Sequence, residues 1–86
     1  MGEADPRAER IIAYLKERVL RDPRAVIEPE TPLVSSGLVD SFSLVDILSE
    51  LETITGRRIA AGRVGPEDLD TVAKMLATAE RVGVPR

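Results

Sequence analysis

The chain contains no cysteine and no histidine. Without cysteine there is no disulfide and no thiolate metal site. Without histidine the commonest general base and metal ligand is missing. Aromatic residues are limited to Tyr14 and Phe42, too few for a base-stacking surface on single-stranded nucleic acid. No apolar run approaches the ~20 residues that a bilayer span requires. The N-terminus lacks the basic-then-apolar pattern of a secretory signal. Met1-Gly2 opens like a myristoylation site, but Pro6 stands where that signal has Ser or Thr. These absences lead to the expectation of a cytoplasmic monomer that partners neither membrane nor nucleic acid.

What is present is a single short domain, residues 1–86, with a net charge of −3. A chain of this size buries roughly 60–65% of its unfolded surface, enough for one modest core. The charge is unevenly placed. Between Ala25 and Gly56 there are acids at Glu28, Glu30, Asp40, Asp46, Glu50 and Glu52, and no Lys or Arg. Such a stretch repels nucleic acid and attracts basic protein surfaces. A solvated helix face accounts for the charge equally well.

The periodicity is helical. Residues 1–4 read as a frayed tail. Asp5-Pro6 starts a first helix over 5–20, with Asp as N-cap and Pro at the first helical position. Ala8, Ile11, Ile12, Leu15 and Val19 form its apolar side. Asp22-Pro23 stops it, because the residue before proline is pushed out of the α region. Residues 21–39 form a long loop punctuated by Pro23, Pro29 and Pro32, with Ile27, Leu33 and Leu38 as its expected anchors. A second helix follows over 41–55, with Leu44, Ile47, Leu48, Leu51 and Ile54 as its stripe and Gly56 as its stop. Phe42 and Val45 fall off the centre of that stripe.

Arg57 to Gly65 is irregular, with Ile59 and Val64 as anchors. Pro66 opens a short helix over 66–69. Asp70 then caps a last helix over 71–82, whose apolar face is Val72, Met75, Leu76 and Ala79. Strand-like alternation is absent. The expected fold is therefore all-α: three main helices plus one short helix, with a long loop between the first two.

The junction Gly37-Leu38-Val39-Asp40-Ser41-Phe42 is the point of chemical interest. Asp40 suits an N-cap, and Ser41 falls at about the first helical position, facing solvent. A helix start carries unpaired N–H groups and partial positive charge, which suit an attached phosphate. Ser41 therefore reads as a modification site. Catalysis is disfavoured: no Gly-rich phosphate loop or paired metal-ligand spacing is present, and an exposed Asp40 is too weak a base to activate its neighbour.

That junction resembles the prosthetic-group site of acyl and peptidyl carrier proteins, whose pattern is Asp-Ser-(Leu/Met/Phe) after a Gly-apolar-apolar lead-in. Ile27-Glu28-Pro29-Glu30-Thr31-Pro32-Leu33 resembles the loop lead-in of the same family. Glu67-Asp68-Leu69-Asp70-Thr71-Val72 resembles its connection between the third and fourth helices. The likeness spans roughly residues 8–82. It implies a four-helix bundle of acyl-carrier type and a stand-alone carrier rather than an enzyme. It implies 4′-phosphopantetheine on Ser41, placed there by a phosphopantetheinyl transferase. A loading ligase or transferase would charge the arm with an acyl or aminoacyl group as a thioester, and a downstream synthase or transferase would receive it. The resemblance also assigns partner recognition to Asp40, Asp46, Glu50, Glu52 and Phe42.

The chain departs from fatty-acid carriers at three places. Ser43 stands where many of them have an acid, Thr53 thins the acidic end of the second helix, and Arg57 to Arg63 is basic where theirs is acidic. The similarity therefore points to polyketide, nonribosomal peptide or aminoacyl-transfer metabolism. Two other readings stay open. One is a small helical interaction module without a covalent cofactor. The other is a DNA binder using Arg57, Arg58 and Arg63, a poor footprint on an acidic chain.

Overall fold

Local capping accounts for where the first helix starts, and burial for which side it turns inward. In the computed structural model, which describes residues 5–85, α1 runs Pro6–Tyr14. The Asp5 side chain accepts the N–H of Arg7 at 2.9 Å, satisfying one of the orphan donors of the first turn. The helix then widens into a π-type turn over Leu15–Val19, where the N–H of Leu20 reaches back to the carbonyl of Leu15 at 2.8 Å. It stops as expected ahead of Asp22-Pro23, with Arg21 in a left-handed conformation, φ 54°. The expected tail of residues 1–4 lies outside the described residues.

The second helix, α2, runs Ser43–Thr55, and Gly56 closes it in the left-handed region at φ 70°. The third, α3, runs Val72–Val82. Single-turn 3₁₀ segments occupy Ala61–Arg63 and Pro66–Leu69 between them. Each of the three α-helices touches the other two. Ala8, Ile11 and Leu15 of the first helical segment meet Ile47, Leu51 and Ile54 of α2 and Val72, Met75 and Ala79 of α3 in one core. Ile12, Val19, Leu44, Leu48 and Leu76, also expected inside, are only partly buried at its margin.

The fold is thus mostly helical, but not purely so. Arg57–Arg58 (β1) pairs antiparallel with Val84–Pro85 (β2), which ties the exit of α2 to the exit of α3. A ladder of two residues is too short to leave an alternation in the sequence. Gly83 permits the approach: a Cβ there would meet the carbonyl oxygen of Ala79 and the Arg57 side chain.

The long loop has no helix or strand, only turns, and it is held by the core. Ile27 and Leu33 are buried, Leu33 completely. The third anchor differs from expectation. Leu38 is 49% exposed, and its neighbour Val39 is buried instead. The N–H of Val39 donates to the carbonyl of Leu33 at 3.0 Å, and this closure turns Val39 rather than Leu38 inward. The loop also serves α3, because the carbonyl of Pro29 accepts the N–H of Ala73 in its first turn at 3.0 Å.

Candidate functional site

Ser41 lies in a turn just ahead of α2, not inside the helix. The reason is local. Asp40 engages the N–H of Ser43 twice, through its side chain at 3.0 Å and its carbonyl at 3.2 Å. The carbonyl of Ser41 then accepts the N–H of Leu44 at 3.3 Å. The regular ladder therefore begins at Ser43, and Asp40 closes the turn that precedes it. Ser41 is exposed, and among the described residues its hydroxyl has no hydrogen-bond partner.

Apolar groups surround this serine in sequence. Phe42 is 91% exposed and Val45 74% exposed. Leu38, three residues before Ser41 in the loop, is a further large side chain left half-exposed. Val45 also borders an open, mainly apolar cleft of about 250 Å³. Leu44 and Leu48 line it from α2, and Val64, Pro66 and Leu69 line it from the opposite segment. A wider polar groove of about 350 Å³ runs between α1 and α2, lined by Arg10, Tyr14, Arg18 and Glu50 among others. No residue from Leu38 to Val45 contributes to it, and its charges are of both signs.

The expected recognition acids do not form one free face. Asp40 and Asp46 are exposed, although the Asp40 carboxylate is engaged by the Ser43 N–H. Glu50 is half-buried in the groove against α1. Tyr14 has its hydroxyl pKa raised by burial, and the charges of Asp46 and Glu50 add to the effect. Glu52 is committed to the fold, since its carboxylate accepts the N–H of Ile59 at 2.7 Å, just past β1. Charge patterning places an acid at position 52, but only the returning chain shows that an amide occupies it.

Asp70 organises this region in a role other than the expected one. Asp70 does not cap α3. That cap is Thr71, whose hydroxyl accepts the N–H of Lys74 at 3.0 Å. The Asp70 carboxylate turns to the loop instead. Its Oδ1 accepts the N–H groups of Val34 and Ser35, both at 2.8 Å, and of Leu33 at 3.2 Å. Its Oδ2 accepts the Ser35 hydroxyl at 2.9 Å. The Ser35 amide first, then its hydroxyl, holds the Asp70 pKa below the ordinary carboxylate value, with the Val34 and Leu33 amides adding to this. An Asp next to a Thr at a helix start gives two candidate caps, and nothing local says which one faces away.

Among the described residues no cluster of three or more acidic side chains could hold a metal ion. No helix among them is long and apolar enough to cross a membrane. No protein-family model, no curated protein and no solved structure matches this chain.

Proposed function

We propose that the chain is a carrier protein that bears 4′-phosphopantetheine on Ser41 and presents acyl or aminoacyl groups to partner enzymes. The observation that carries this reading is the state of Ser41: an exposed, unbonded hydroxyl on a capped turn at the start of a 13-residue helix, preceded by Asp and followed by an exposed Phe. The three-helix core with its short fourth segment at Pro66–Leu69 and its long first loop is compatible with a four-helix bundle of carrier type.

The residues present fit the group. Ser41 Oγ can form a phosphoester bond to the pantetheine-side phosphorus of coenzyme A as that phosphorus loses its bond to the bridging oxygen and adenosine 3′,5′-bisphosphate leaves. The hydroxyl proton passes to a base of the separate transferase, since the neighbouring Asp40 carboxylate is exposed, weakly basic and already accepts the Ser43 N–H. Once attached, the arm supplies the thiol that holds cargo as a thioester. Asp40 keeps the turn closed, and the Ser41 hydroxyl stays outside the turn's hydrogen bonds and accessible. Phe42 and Val45 offer apolar contact to partners, with Asp46 beside them for a basic side chain. Contacts of that size are weak and salt-sensitive, which suits a protein that visits several enzymes. A cytoplasmic monomer is the corresponding setting, with polyketide, nonribosomal peptide or aminoacyl-transfer metabolism as its context.

The test is intact-protein mass after incubation with coenzyme A and a broad-specificity phosphopantetheinyl transferase. The expected result is a gain of one phosphopantetheine that is lost in Ser41→Ala. No gain on the folded wild type, while a known carrier is modified in parallel, would replace this reading with that of a small interaction module.

A further inference from the structure

The chain approaches Ser41 from a loop that is closed on itself. The N–H of Val39 donates to the carbonyl of Leu33, and the N–H of Gly37 to that of Val34 at 3.1 Å. The Ser36 hydroxyl donates to the carbonyl of Pro32 at 2.7 Å. Leu33 and Val39 are both buried, whereas Ser35, Ser36, Gly37 and Leu38 between them are exposed. The loop thus leaves the core at Leu33 and re-enters it at Val39, two residues before Ser41.

Apolar burial alone does not orient such a loop, because it is non-directional. Direction comes from the Asp70 carboxylate. Three successive amides, Leu33, Val34 and Ser35, converge on one of its oxygens in the manner of an anion-binding nest. The Asp70 carbonyl accepts the Leu33 N–H as well, at 2.7 Å. Bonds to an ionised acceptor are about twice as strong as neutral ones, so this side chain adds a strong directional restraint to the backbone bonds that also hold the loop. The turn that bears Ser41 is then held from two sides, by Asp40 at the helix and by Asp70 through the loop.

We propose that Asp70 is a positioning residue for Ser41: by clamping Leu33–Ser35 to the start of α3 it fixes the loop through Val39 and so the turn that offers Ser41 to its modifying enzyme. This rests on the reading of Ser41 as a phosphopantetheine acceptor. Asp70 does not touch the reacting hydroxyl; it acts through the backbone. Its removal leaves the Leu33 side chain in the core but loosens the segment from Val34 through Val39 that leads into the turn.

The experiment combines two readouts on Asp70→Asn, Asp70→Ala and Ser35→Ala. The first is the rate of Ser41 modification with coenzyme A and a broad-specificity phosphopantetheinyl transferase, below each variant's melting temperature. The second is amide hydrogen exchange at Val39, Ser43 and Leu44, followed by NMR. Asp5→Ala, which removes the cap of α1, is the control for general destabilisation. Misplacement of a reacting group by about 1 Å costs on the order of 100-fold, so a loosened turn is expected to lower kcat/KM roughly tenfold in Asp70→Ala and less in Asp70→Asn.

Faster exchange at Val39 and Ser43 is expected alongside, with neither effect in Asp5→Ala. Folded Asp70 variants modified at the wild-type rate with unchanged exchange would overturn the proposal. Equal slowing in Asp5→Ala would overturn it too, by making the effect one of stability. If Asp70→Ala does not fold, Asp70→Asn and Ser35→Ala decide through the same readouts. If the wild type itself takes no phosphopantetheine, the functional reading fails separately, and exchange at Val39 and Ser43 decides whether Asp70 positions this turn.

Discussion

Leu33→Ala and Leu38→Ala are matched truncations in one loop, and the structure assigns them very different costs. Leu33 is 0% exposed and belongs to the core; Leu38 is 49% exposed. Truncating a fully buried Leu costs about 2.7–5 kcal/mol, and Leu33 belongs near the lower end because a loop can partly collapse. Truncating a half-exposed Leu forfeits about half of a 1.5–3 kcal/mol transfer term and leaves no cavity, hence about 1 kcal/mol.

Against the roughly 4–13 kcal/mol expected for a domain of 86 residues, a loss of about 3 kcal/mol is a large share. In a domain of this size it lowers Tm by about 12–24 °C, whereas the Leu38 change lowers it by about 4–8 °C. The assay is urea and thermal unfolding followed by far-ultraviolet circular dichroism. Unchanged m-values would show that the denatured state is comparable between variants. Equal losses at the two positions, or a Leu33→Ala cost below about 1 kcal/mol, would refute the idea that this loop is part of the core.

Thr71→Ala is expected to destabilise by about 0.5–2 kcal/mol in the same assay, because Thr71 and not Asp70 caps α3. For pH, Asp70 and Asp5 both have folded pKa values below the ordinary 3.8. The unfolded chain therefore binds more protons in acid, so their stabilisation is complete above about pH 5 and is lost as pH falls through the folded values. Tyr14 is raised from 10.0, so its contribution is complete below that value and is lost as pH rises through the folded one. With no histidine, the stability profile from urea titrations is expected to be flat between about pH 5 and 9 as far as side chains are concerned. Phe42→Ala is expected to shift Tm little, since Phe42 is 91% exposed, and under the proposed function to raise the KM of a phosphopantetheinyl transferase for this chain. A lower Tm with an unchanged KM would mean that Phe42 packs rather than docks.

The helices were readable along the chain because their signals are local. Apolar residues at a 3.6-residue period, Asp5-Pro6 at one start, Gly56 at one end and Pro66 at the short turn each act within a few residues of themselves. The exposed Ser41 beside Asp40 was readable for the same reason, although Asp40 closes a turn ahead of the helix rather than capping the helix itself.

The tertiary structure decided everything that depends on a partner distant in sequence. Leu38 and Val39 are adjacent and both apolar, and only the bond from Val39 back to Leu33 selects which one is buried. Asp70 and Thr71 are both competent caps, and only the arrival of Leu33, Val34 and Ser35 draws Asp70 away. Glu52 reads as a free surface acid until the amide of Ile59 returns to it, and β1 has no strand signal until Val84 lies alongside. Periodicity and caps are set by neighbours along the chain, so the sequence carries them alone. The choice among chemically equivalent neighbours is made by which backbone groups the folded chain brings within hydrogen-bond reach, and that exists only once the helices have packed.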